Sequence, residues 1–321
     1  MTAQSPAISP SNPVTIVMYH YVRELAHSRY PQIKGLSTER FDRQLDHIAD
    51  NYTVCSLSDL LAAIRGQGAL PPNPCILTFD DGFSDHYQTV FPRLIARGFS
   101  GAFFPPARAI LEHALLDVHK VHYILACTQD SGVLTTELLE LLTPFRPDFP
   151  EIASDEQLRA EFAIANRFDN ADIIFVKRLL QKGLPDPVRE QIADELLARH
   201  VGVEPSVLAR ELYMDMTQLK CMAKAGMEIG GHGWNHLWLN NLTREGQAFE
   251  IQKTTEFLAQ VFGKPAKDWT MCYPSGGFNH TTISLLKQSA CGLALTTRVG
   301  RVTSADNLFE LTRLDTNDLP S

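Results

Sequence analysis

The sequence predicts an α/β protein, with parallel strands alternating with helices and one large, mainly helical insertion. Three observations carry this reading. Residues 14–106 alternate short apolar runs with amphipathic helical runs, the rhythm of a parallel sheet flanked by helices. The rhythm lapses over residues 107–216, where helical periodicity takes over, and it resumes over 217–321. A chain of 321 residues is long enough for one large domain or two modest ones.

Residues 1–13, rich in Ser, Pro and Asn, read as a loose arm. Residues 14–20 form a first strand, apolar throughout as in a sheet covered on both faces, and it ends at Tyr19 and His20. After a polar loop, Ser37 opens a helix with Phe41, Leu45 and Ile48 at helical spacing. A short strand near residues 52–54 leads to Ser58, the expected N-cap of a helix through Leu60, Leu61 and Ile64 that Gly66 and Gly68 end. Residues 75–79 are a buried strand, bounded by Pro71, Pro72 and Pro74 before it and by Gly82 after it. A helix over 85–97 stops at Gly98, and a strand over 99–104 closes at Pro105 and Pro106.

In the insertion, Leu138, Leu139, Leu141 and Leu142 mark one helix, and residues 156–165, 173–180 and 187–200 mark others, punctuated by Gly183, Pro185 and Pro187. This segment is expected over or beside the mouth of the sheet. His119 and His122, three apart, can face the same way on a helix, either toward substrate or, as the favoured reading, on a solvated face. Past residue 217, helices are expected over 219–225, 243–262 (capped by Thr243) and 279–289 (Thr281 as a candidate cap). Strands are expected over 227–230, 269–273, 293–296 and 309–314.

Hydrophobic residues make up 44% and charged residues 21%, a globular balance. A formal net charge of −8 argues against nucleic acid or an anionic membrane as the main partner. The six cysteines lack zinc-knuckle or redox spacing and read as buried free thiols, which suits a reducing compartment. With neither a basic, apolar leader nor an apolar run near the ~18–20 residues of a membrane span, a soluble cytoplasmic protein is expected.

Three short motifs follow predicted strands. The first is Asp80-Asp81-Gly82. Alone it is an ordinary turn. At the mouth of an apolar strand, however, two adjacent carboxylates repel unless a cation or a proton intervenes. The second is His232 and His236, four apart and just after the strand at 227–230, so one turn or tight loop can aim both rings at one point. Strand C-termini of a parallel barrel share one face. Two His and a carboxylate there form a common set for Zn²⁺ or a similar divalent ion, with positions left open for water and substrate. The third is Tyr273-Pro274-Ser275-Gly276, a loop of the kind that points a backbone N–H at a ligand.

Taken in this order, Thr78-Phe79-Asp80-Asp81-Gly82, His232-x-x-x-His236 and Tyr273-Pro274-Ser275-Gly276 resemble the polysaccharide deacetylases, the NodB-homology group of carbohydrate esterase family four. Met18-Tyr19-His20-Tyr21 is similar to the first strand of many members. The resemblance implies a distorted (β/α)7-type barrel that removes acetyl groups from sugars or surface glycans and their precursors. It implies Asp80 as general base and Asp81, His232 and His236 as metal ligands. It also implies that Tyr273, Pro274, Ser275 and Gly276 line the substrate groove, with the Ser275 N–H as oxyanion donor. The sequence departs from the pattern twice. An Arg often found before the third motif is missing near Cys272, for which Arg313 is the candidate substitute. No late Leu-x-His follows; His20 is the candidate stand-in for that proton donor, with water or a protonated Asp80 as the alternatives. Two other readings are a metal-dependent hydrolase of a non-sugar amide and a glycan-binding protein that has lost turnover.

Overall fold

A computed structural model describes residues 12–320. Its strands are β1 (Thr15–Tyr19), β2 (Thr53–Val54), β3 (Pro74–Asp80), β4 (Ala102–Phe104), β5 (Glu228–Ile229), β6 (Trp269–Cys272), β7 (Cys291–Val299) and β8 (Leu311–Asp315). They run in the order β5-β4-β3-β1-β8-β7-β6, with β2 added beside β3, and their pairings are parallel. A parallel bridge between Gly231 and Met271 joins the two ends of this path, so seven strands close into a barrel. Glycine is required at the seam: a Cβ on Gly231 would lie 2.3 Å from Thr254 Cγ2, too close for any larger residue. The fold class expected from the sequence is the one observed.

The barrel interior follows from strand alternation. Ile16, Ile76, Ala102, Phe104, Leu293, Leu295 and Leu311 form one buried cluster, which Leu57, Leu60 and Leu61 of the helix Leu57–Ile64 join. On the other face, Tyr19 and Phe79 stack at 5.1 Å, and Phe41 meets Tyr19 edge-on at 5.2 Å. Phe41, Leu45 and Ile48 form the buried stripe of the helix Thr38–Asn51. Each such side chain contributes about 1.5–3 kcal/mol by leaving water.

Local corrections concern caps and ends. Ser56, not Ser58, caps the helix Leu57–Ile64, in a reciprocal box with Asp59. The Ser58 hydroxyl instead donates to Glu228 at 2.5 Å. Asn279, not Thr281, caps the helix His280–Gln288, because its side chain reaches Thr282 N at 3.1 Å. Of the arm expected over residues 1–13, residues 1–11 lie outside the described residues. Asn12 is tied to Pro71 O and Asn73 N through its amide.

The chain divides into two compact units. Residues 12–24, 35–114 and 210–320 make the barrel unit; Leu25–Lys34 and Leu115–Ala209 make the helical unit. The segment read from sequence as 107–216 is therefore trimmed at both ends. The helix Ala107–Leu111 is held by Ala107 and Arg108 N–H bonds to Gly233 O and Trp234 O, and Tyr213 bridges to Phe83. The segment also recruits residues 25–34 through Tyr30 against Tyr123 and Lys34 against Asp169.

The helical unit is built from Asp117–Cys127, Ser131–Leu142, Asp155–Phe162, Ala171–Arg178, Asp186–His200 and the start of Pro205–Leu212. His119 is fully buried rather than on a solvated face. Its helix turns Val121 and Ile124 inward as well, and Lys120 is neutralised by Asp117 and Asp194 at 2.9 and 2.6 Å. Asp169 accepts from Lys177 (2.7 Å) and Lys34. Burial works against its charge, but the two ammonium groups outweigh burial and hold its carboxyl below the ordinary value. The folded-state value lies below the unfolded one, so the stabilisation is present above an unfolded pKa of about 3.9 and is lost as pH falls through the folded value. Denaturant titrations of Asp169→Asn against the parent should show a gap that is constant near neutrality and closes below about pH 4.

Candidate active site

Three motifs meet at the C-terminal end of the barrel strands. Asp81 directly follows β3 with φ 73°, and Gly82 follows with φ 67°. Strand neighbours ordinarily point to opposite faces, but the left-handed turn breaks that alternation. A Cβ on Gly82 would strike Pro105 Cβ at 2.5 Å, which fixes glycine there. His232 stands beyond β5 after Gly230 and Gly231, and His236 closes the same loop with φ 59°. Left-handed backbone on the non-glycine residues Asp81 and His236 costs of order 1–3 kcal/mol each, strain that clusters at functional sites.

His232 Nε2 and His236 Nε2 lie 3.4 and 3.3 Å from the same oxygen, Asp81 Oδ1. A tetrahedral Zn²⁺ with bonds of about 2.0–2.1 Å sets its ligand atoms about 3.3–3.4 Å apart, so these residues fit a divalent ion. The His232 Nδ1 is 2.8 Å from Cys272 O. A carbonyl only accepts, so Nδ1 carries the hydrogen and the Nε2 lone pair faces the triad, the orienting contact that metal-binding histidines use. Burial opposes charge on His232, but the Asp81 and Asp80 carboxylates beside it outweigh burial and raise its pKa above the ordinary value.

Asp80, 2% exposed, is the last residue of β3. Arg313 of β8, 1% exposed, grips it with two parallel bonds: Nη1 to Oδ1 at 2.9 Å and Nη2 to Oδ2 at 2.8 Å. Nε and Nη1 of Arg313 are in turn aimed by Thr296 O (2.9 Å) and Thr78 Oγ1 (3.1 Å). Burial alone would raise the Asp80 pKa; the Arg313 charge and hydrogen bonds outweigh it and bring the value down to about 2. Cys272 adds a thiol that burial keeps protonated, with Sγ 3.3 Å from Asp80 Oδ2. Arg313, the candidate substitute for the missing Arg, thus sits on Asp80, the residue that the resemblance makes the general base. His20 Nε2 is 3.8 Å from Asp80 Oδ2, with its side chain 43% exposed.

The third motif departs from its expected role in part. Tyr273 is fully buried; its hydroxyl donates to Phe309 O at 3.0 Å and its ring stacks on Phe278 at 4.5 Å. It anchors the loop in the core instead of lining a groove. Pro274 is buried as well, Ser275 is half-buried with φ 53°, and Gly276 has φ 72°. A Cβ on Gly276 would lie 2.3 Å from Thr297 Oγ1.

Two positioning residues escaped the sequence reading. Glu250, 1% exposed on the helix Arg244–Phe262, accepts from Trp234 N (2.7 Å), Asn235 N (3.0 Å) and Asn235 Nδ2 (3.1 Å). It therefore pins the loop between the two histidines. Its signal was legible: Gln247, Glu250 and Thr254 place polar groups on a buried stripe with Ile251 and Leu258. Glu250→Ala is expected to lower divalent-ion affinity by about 10–100-fold in a chelator competition titration, with the fold retained. His86, fully buried and held neutral by burial, donates from Nε2 to His20 O at 2.9 Å. Nothing in its sequence context pointed there.

Fold and site together define a class: parallel α/β barrels that present a His-His-Asp cation site beside an Arg-held carboxylate, an arrangement suited to hydrolysis. A family model described as polysaccharide deacetylase matches residues 190–293. That stretch holds the histidine pair and the third motif; the fold brings Asp80 and Asp81 to them from outside it. A curated Bacillus subtilis (strain 168) protein, YxkH, provisionally named a polysaccharide deacetylase, is 27% identical over 97 residues, 30% of this chain and 34% of its own length. The deacetylase PplD of Streptococcus pyogenes, solved in complex with acetate, superposes with a TM-score of 0.56 at 17% identity, covering 95% of this chain and 92% of that one. The BpsB deacetylase domain of Bordetella bronchiseptica gives 0.56 at 15% identity, covering 96% and 97%. IcaB from Ammonifex degensii gives 0.54 at 17% identity, covering 94% and 91%. The resemblance to the polysaccharide deacetylase family read from the motifs holds for this chain, in the matched segment and in the fold.

Proposed function

We propose that this protein is a metal-dependent hydrolase that removes the acetyl group from an N-acetylated sugar of a glycan or glycan precursor. The observation that carries the reading is the Asp81–His232–His236 triad beside an ionised Asp80 held by Arg313. A divalent ion bound there, Zn²⁺ by the character of its ligands, would acidify a water and polarise the acetyl carbonyl. Asp80 is the group that takes the proton of the attacking water. Arg313 keeps it anionic, at the expense of basicity, so it can deprotonate only an acidified water. His20, at the exposed side of Asp80, hands a proton to the departing nitrogen, and the Ser275 N–H supports the oxyanion. The names of the similar structures, deacetylases among them, support the choice of acyl group. We propose a cytoplasmic location, favoured by six free cysteines; recovery of the protein outside the inner membrane on fractionation would contradict it.

The test is acetate release from N-acetylated oligosaccharides by the metal-loaded protein. Asp80→Asn should lose about 10²–10⁴-fold in rate. Undiminished release would overturn the assignment, and turnover of small amides without any of N-acetylated sugars would overturn the substrate class.

A further inference from the structure

A cavity lies in the barrel unit, at the seam between β5 and β6. Those strands meet only through the Gly231–Met271 bridge among the described residues. On the N-terminal side of that bridge the walls part around a cavity of about 630 Å³, within the range of small-molecule sites. Its apolar wall is Phe104, Met227, Ile229 and Trp269. Phe104 belongs to the interior cluster and closes the floor of the cavity, while Phe262, 41% exposed, forms its outer apolar edge.

The charges at this cavity are uneven in their commitments. Glu228 is taken up by the N-terminus of the helix Leu57–Ile64, accepting from Leu57 N at 2.8 Å and Ser58 N at 2.9 Å. Asp268 is paired with Arg65 at 2.7 Å. Lys264 and Lys267 line the same cavity from an exposed turn, and neither is in a salt bridge among the described residues. Lys267 also acts on Asp268 beside it, whereas Lys264 is committed to no carboxylate among the described residues; an apolar wall beneath these two ammonium groups is complementary to a molecule with an apolar body and one anionic end.

We propose that this seam cavity binds a straight-chain amphipathic carboxylate, its chain along Phe262, Ile229 and Trp269 and its anionic end at Lys264 and Lys267. The site is distinct from the Asp81–His232–His236 triad and independent of the catalytic reading. The probe is decanoate below its micellar concentration, titrated calorimetrically into the full chain. One equivalent should bind, and octanoate should bind about 15-fold more weakly, at about fourfold per methylene removed. Lys264→Gln/Lys267→Gln, both exposed, should weaken decanoate at least tenfold and leave 1-decanol unchanged, whereas His232→Ala should leave decanoate binding intact. Ala266→Trp at the cavity wall should block both probes. Absence of decanoate binding, equal affinity for decanoate and decanol, insensitivity to the lysine substitutions, or loss of binding in His232→Ala would each overturn the proposal.

Discussion

Replacing His232 with Ala is expected to remove stoichiometric metal and to cut acetate release by at least the 10²–10³-fold that follows loss of one oxyanion-stabilising contact. The reason is geometric. His232 supplies one of three ligand atoms around a single point, and Cys272 O holds its ring in the one orientation that points Nε2 inward. The same site makes a pH prediction with a definite sign. Burial opposes charge on His232, but the carboxylates beside it raise its pKa in the metal-free chain, so the ring holds a proton more tightly than a free imidazole. Metal and that proton compete for Nε2, so apparent affinity should rise with pH, by at most about tenfold per unit, and level off once the imidazole is neutral. Chelator competition at a series of pH values measures the slope. A flat profile together with an active His232→Ala protein would remove the triad from consideration.

Arg313→Met should have the largest effect on stability. It leaves the Asp80 carboxylate buried without a counter-charge, a loss of about 3–5 kcal/mol. Asp80 should respond by neutralising, because burial, which Arg313 now overrides, would then push its pKa up from about 2. The acid limb of the pH–rate profile should move toward neutral pH, a signature that a purely structural loss would not give. Asp80→Asn combined with Arg313→Met should recover part of the stability by removing the stranded charge. Arg313→Lys should not rescue activity, since a single ammonium cannot reproduce the planar two-bond grip. Urea titrations and pH–rate profiles of these variants are the measurements.

The motifs were legible because each is local. Asp80-Asp81-Gly82 and His232 through His236 sit in the residues that end strands, where polarity interrupts an apolar run. Apolar alternation gave the barrel for the same reason. Tertiary partners were harder to read. Arg313 could be nominated only through a gap in a family pattern, since nothing in Leu-Thr-Arg-Leu-Asp shows that the guanidinium turns inward. Tyr273 looked like a groove residue until the structure placed its hydroxyl on Phe309 O. Ser56 and Ser58 are equally good caps by chemistry; Glu228, 170 residues away, drew Ser58 off. Buried His119 shows the same limit, because helical spacing alone does not say which face the neighbouring helices cover.

The Asp80–Arg313 pair joins residues 233 apart in the chain, and this separation governs how the protein must assemble. Until β8 docks beside β1, Asp80 has no counter-ion and remains a solvated carboxylate at the end of an unfinished sheet. Contacts this distant form late and slowly. The reactive cup therefore comes into being only when the last strand arrives, and a nascent or C-terminally clipped chain has the aspartates but not the chemistry.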